Sequence, residues 1–162
     1  MRGAEEAVNA VLAALQNNWV AQAAIVNAQY TDGVAVGTPA AWYNSRIPSA
    51  EVPASPAVFV LEDPWDDKNM DTANQWEETR LILVDVMVED PDPQRLQALI
   101  WRNVKVVRNI LGSWSTSQLD QLGYFVTGMK GAPGPLWEKE ANAFSQDHYI
   151  QVTLESIEGM NN

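Results

Sequence analysis

Between Trp76 and Gly112 the chain encodes a long strand that runs straight into a capped helix, and no other stretch restricts the fold as much. Leu81-Ile82-Leu83-Val84-Asp85-Val86-Met87-Val88 is a nearly unbroken apolar run. In an extended chain Ile82, Val84, Val86 and Val88 share one side, and Leu81, Leu83, Asp85 and Met87 share the other. A strand apolar on both sides needs cover on both. A chain of 162 residues predicts one domain, residues 1–162, with a real core but too little material to cover both faces well.

The helix that follows is signposted at each end. Asp92 suits the N-cap, Pro93 the first helical position where a missing N–H costs nothing, and Gly112 the C-terminal stop. Leu96, Leu99, Ile100, Val104, Val107, Ile110 and Leu111 fall on one arc, with Asn103 in its middle as a buried, hydrogen-bonded amide. Arg95, Arg102, Lys105 and Arg108 are placed on the opposite arc, with Trp101 among them.

Elsewhere the pattern is coarser. Val8, Val11, Leu12, Leu15, Trp19, Ala23, Val26 and Tyr30 recur at helical steps, predicting a helix from Ala4 to about Tyr30. Residues 31–56 carry Gly33, Gly37, Pro39, Pro48, Pro53 and Pro56 and read as a long arm, with a short extended piece at Ala41-Trp42-Tyr43. Strands follow at Ala57–Leu61, about Glu77–Glu89 and Tyr124–Met129, with a further helical turn at Thr116–Leu122. A Gly-Pro loop at 131–135 and a short polar segment at Trp137–Gln146 lead to a last strand, His148–Ile157. Helix, arm, two strands, helix, two strands is an α+β order: a small mixed, mainly antiparallel sheet with helices packed on one face.

Composition excludes several classes. No run approaches the length of a bilayer span, and the acidic start Glu5-Glu6 argues against an export signal. Without cysteine there are no disulfides, thiol nucleophiles or thiolate metal sites. A net charge of -11 opposes general nucleic-acid binding.

Candidate chemistry is sparse. Glu62, Asp63, Asp66, Asp67 and Asp71 are the densest carboxylates, but they lack the alternation and central glycine of a calcium loop and read as a solvated connection. His148 is the sole histidine and has no nucleophile motif beside it. No serine sits in a Gly-x-Ser-x-Gly elbow. The glycines of 128–134 lack phosphate-loop spacing. No catalytic residue, metal site or cofactor is expected.

The basic face is different. Solvation alone would explain Arg102, Lys105 and Arg108, but not the indole of Trp101 among them, because Trp and Arg are the residues that interface hot spots favour. A basic face on an acidic chain also matches an acidic patch on an identical neighbour. Trp101, Arg102, Lys105 and Arg108, with Leu81, Leu83 and Met87 on the second face of the long strand, are therefore the candidate contact residues. Trp42, Trp65, Trp76, Trp114 and Trp137 fall in loops or at element ends, natural places for partners to touch.

Taken in order, the N-terminal helix, Val58-Phe59-Val60, the strand Leu81–Val88 and the Asp-Pro-Asp-Pro start of the Leu96–Leu111 helix form a recognisable layout, closed by Tyr149–Leu154. It resembles the ring-forming tail terminators and related tail-completion or neck proteins at the head–tail joint of tailed bacteriophages, from about Glu5 to Glu158. The resemblance implies a virion protein of the tail or neck, assembled in the host cytoplasm as a six-fold ring without enzymatic activity. It implies contacts with tail-tube and head-connector proteins, no membrane, and DNA only as a passing molecule, for which an acidic lumen is a wall that does not stick. Two other classes stay open on the residues alone. One is a cytoplasmic monomeric or dimeric protein-binding module or assembly factor. The other is a small enzyme with a site shared between subunits from Glu62, Asp63 and His148.

Overall fold

The computed structural model describes residues 4–45, 47, 55–63, 77–119, 123–139 and 143–157. In chain order the elements are α1 (Ala4–Asn27), β1 (Ala41–Tyr43), β2 (Ala57–Glu62), β3 (Glu77–Asp90), α2 (Pro93–Gly112), β4 (Tyr124–Pro133), β5 (Trp137–Lys139) and β6 (Ala143–Ile157). The long apolar run becomes β3, and it pairs antiparallel with β6 over its whole length, from Glu77 opposite Ile157 to Asp90 opposite Phe144. The sheet order is β1-β2-β3-β6-β4, with β5 also on β6. Only β1 and β2 run parallel among the described pairs. This is a small α+β fold with a mixed, mostly antiparallel sheet and two helices packed against it.

Period-two alternation decides which side meets the helices. Ile82, Val84, Val86 and Val88 of β3 and Ile150, Val152 and Leu154 of β6 are buried against Val11, Leu15 and Trp19 of α1 and Leu96, Ile100 and Val107 of α2. Each such side chain contributes about 1.5–3 kcal/mol by leaving water. A bulge between Val126 and Gly128 lets both Val126 and Met129 face the helices, because the extra residue resets the alternation.

The second face of β3 is covered in part by the chain itself. Ala57, Phe59 and Leu61 are buried there against Tyr43, Ile47, Leu83 and Met87, and the Tyr43 ring stacks on Phe59 with centroids 4.9 Å apart. On the β6 half the same face is polar, and Gln151 Nε2 donates to Asp63 Oδ2 at 2.6 Å.

α1 holds the described part of the arm. Asn27 accepts from the Val36 N–H at 2.8 Å and donates to the Val36 carbonyl at 2.9 Å. Trp19 Nε1 donates to the Gly37 carbonyl at 3.0 Å, and its ring meets Trp42 edge-on at 5.4 Å. These bonds turn the chain back along α1 and deliver β1 to the edge of the sheet.

Several expectations need correction. The first helix stops at Asn27, not Tyr30. Residues 113–119 are turns and bends instead of a helical turn. β4 continues through the Gly-Pro stretch to Pro133. The polar segment is split between β5 and an earlier start of β6 at Ala143, because pairing with neighbouring strands overrides weak local propensity. Asp66, Asp67, Asp71, Trp65 and Trp76 lie outside the described residues.

Candidate interaction surface

The surface is built on α2, whose start behaves as its sequence dictates. Asp92 Oδ1 accepts from the Gln94 N–H at 2.9 Å and from the Arg95 N–H at 3.4 Å. Leu96, Ile100, Val106, Val107, Ile110 and Leu111 face the core, and Asn103 is fully buried, its Nδ2 donating to the Leu99 carbonyl at 2.8 Å.

The outward placement of Arg102 is overturned: only 5% of it is exposed. Val106 belongs to the apolar arc, and Arg102 lies roughly 40° from it on the helical wheel, at the arc's edge beside the end of α1. There Arg102 Nη1 donates to Asp32 Oδ1 at 2.9 Å, Nη2 to Asp32 Oδ2, and Nη1 also to the Val34 carbonyl. The guanidinium lies 3.8 Å from the centre of the Tyr30 ring, a cation–π contact. Gly33, with φ +76°, makes the turn that lets Asp32 and Val34 address one guanidinium. The Arg102 side chain beside Asp32, followed by the Val34 N–H, lowers the Asp32 carboxyl to about 2. Asp32 in turn raises Arg102 above its ordinary value, against the opposing effect of burial.

Lys105 is half-buried, bonded to Gln29 Oε1 and 5.7 Å from the Tyr30 ring centre. Arg95 pairs with Asp90 at 3.3 Å. Trp101 is 69% exposed. Arg108 shares its side of α2, two turns further on, and has no hydrogen-bond or ion-pair partner among the described residues.

The seven candidate contact residues therefore divide. Trp101 stands outward on α2, Arg108 is half-buried on the same side over Gly131, Lys105 is partly engaged by Gln29 and Tyr30, and Arg102 is a clamp between α2 and the loop after α1. Leu81, Leu83 and Met87 are half-buried on the opposite side of the sheet, so one flat contact cannot include both groups. The sequence reading passed over Val20 and Ile25, 67% and 52% exposed on α1, and Leu136, 52% exposed beside the 62% exposed Trp137. Val20 and Ile25 were legible as apolar residues that fall off the α1 stripe.

Among the described residues, Glu62, Asp63 and His148 are not brought together within one chain. Glu62 ends β2, and Asp63 follows it on the opposite face of the sheet. His148 sits four residues along β6 from Val152, the residue in line with Glu62, a distance of roughly 13 Å along the strand alone. Burial and then Arg108 hold the His148 imidazole below its ordinary value. Among the described residues no group of three or more His, Asp or Glu could hold a metal ion. No described helix is long and apolar enough to cross a membrane.

No protein-family model matches the sequence, and no curated protein matches it. Among solved structures, a chain of the "Virion of native gene transfer agent (GTA) particle" aligns with 72% of this chain and 80% of its own length, at 12% identity and a TM-score of 0.37. Function has to be read from the site that the chain's own residues build.

Proposed function

We propose that this is a structural virion protein that closes into a ring, most simply of six copies, at the tail end or head–tail joint of a tailed phage. The observation that carries the reading is Trp101: a large indole held out to solvent on a helix whose other faces are anchored to the core, to β6 and to the end of α1. A helix tied down on all other sides presents its remaining face rigidly, and rigid aromatic anchors lose little entropy on association. The uncharged run from Ala7 to Thr31, which exposes Val20 and Ile25, adds a second apolar surface of the kind that assembly covers. The resemblance of the layout to tail terminators and neck proteins supports this place in the particle and the tail tube and head connector as partners. The same acidic charge suits a wall past which DNA moves without binding.

Mass measured by light scattering on a sizing column tests it. The chain elutes as an oligomer, and Trp101→Ala shifts it toward the monomer with an unchanged melting temperature. A monomeric wild-type chain at the same concentrations favours the binding-module reading instead.

A further inference from the structure

The two edges of the sheet carry different and complementary surfaces. On one side, β4 is the edge strand, and α2 packs over β3, β6 and β4. At Gly131 a β-carbon would stand 3.0 Å from His148 Nε2 and 3.3 Å from Arg108 Nη2. The imidazole and the guanidinium therefore converge over a strand position that has no side chain to separate them. Because burial and Arg108 keep His148 below its ordinary value, the charge presented there at neutral pH is that of Arg108, with the Trp101 indole on the same side of the helix. On the other side, β1 is the edge strand and α1 packs over β2 and β3. An open groove there is lined by Glu5, Val8, Asn9, Asn44 and Glu62. Glu62 is held in place by Arg80 at 3.9 Å, and Glu5 stands exposed at the start of α1.

We infer that the α2 face bearing Arg108 and Trp101 docks into the Glu5–Glu62 groove of a second copy of this chain, head to tail. The inference rests on the ring reading and names the surfaces that make it. The Arg108 guanidinium, with no hydrogen-bond or ion-pair partner among the described residues, and a carboxylate-rimmed groove with an apolar floor at Val8 complement each other in charge and polarity. The two surfaces lie at opposite edges of one sheet, so each copy can use one surface on each of two neighbours, and such heterologous contacts propagate until they close.

The chain has no cysteine, so introduced thiols report the contact without background. Glu5→Cys and Arg108→Cys are made singly and together, checked for an unchanged melting temperature, and treated with a short bismaleimide. The double variant should give a covalent ladder ending at the size of the ring, the mixed singles only dimers, and each single alone nothing. In parallel, Arg108→Glu should weaken association at least tenfold, and adding Glu5→Arg to the same chain should restore it. An oligomer by native mass whose double variant does not cross-link, or self-linking by Arg108→Cys alone, overturns this contact and leaves the ring standing. A chain that is monomeric by native mass overturns the ring and this contact with it.

Discussion

Arg102 and Asp32, seventy positions apart in sequence, are joined through both guanidinium nitrogens Nη1 and Nη2, with Nη1 to Oδ1 at 2.9 Å. The pair ties α2 to the loop after α1, and Tyr30 and the Val34 carbonyl complete the grip. Removing the arginine leaves that carbonyl and the Tyr30 ring face without their cation. Arg102→Ala should lower stability by about 1.5–3 kcal/mol, the range for hydrogen bonds to charged groups. Denaturant unfolding measures it. A loss below ~0.5 kcal/mol would match a solvated surface residue instead.

The same pair gives the fold an acid limb. Asp32 is lowered to about 2 by Arg102 and the Val34 N–H, below the value of 3.8 for an ordinary aspartate. A depressed carboxylate contributes stability that is present above the unfolded value and lost as pH falls through the folded one. The difference in melting temperature between wild type and Asp32→Asn should be constant above about pH 4 and shrink toward zero near pH 2. A difference that stays constant to pH 2 would show that the carboxylate charge does not hold Arg102.

Three successive positions of α2 test its orientation. Ile100 is 1% exposed, so Ile100→Ala should cost roughly 2–5 kcal/mol. Leu99 is half-buried and should cost less. Trp101→Ala should change stability by under ~0.5 kcal/mol while impairing assembly. Equal losses at all three would mean that the helix is rotated from the arrangement described.

Much of this fold is written locally. Asp92 and Pro93 start α2 by their own backbone chemistry, and the alternation around Val84 places β3 and its two faces; the end of α2 differs from expectation, since Gly112 stays inside the helix and Ser113 caps it. The other errors share one cause. Arg102 is turned inward by Tyr30, Asp32 and Val34, which the helical wheel of α2 does not contain. β4 extends through Gly131 by pairing with β6, and β6 starts at Ala143 by pairing with β5, although neither stretch has strand propensity of its own. The exposure of Trp101 was legible from its phase. Its neighbourhood was not, because Gly131 and His148 reach Arg108 only through the pairing of β4 with β6.

Duplex DNA should not bind appreciably at physiological salt. The net charge of -11 opposes the phosphates, and Arg102 and Lys105 are already engaged with Asp32 and Gln29. Fluorescence polarisation with a labelled duplex checks this. Binding in the range of ~10⁻⁴ to 10⁻⁶ M typical of non-specific binders, lost on Arg108→Glu or Lys105→Glu, would make α2 a DNA-contacting helix.

Native mass spectrometry of the purified chain, across a dilution series, tests the ring most directly. One closed species of about six copies of the 17.9 kDa chain, dissociating without a ladder of growing filaments, is the outcome that head-to-tail closure requires. A mass of one chain at every concentration, up to the highest that stays in solution, would contradict it.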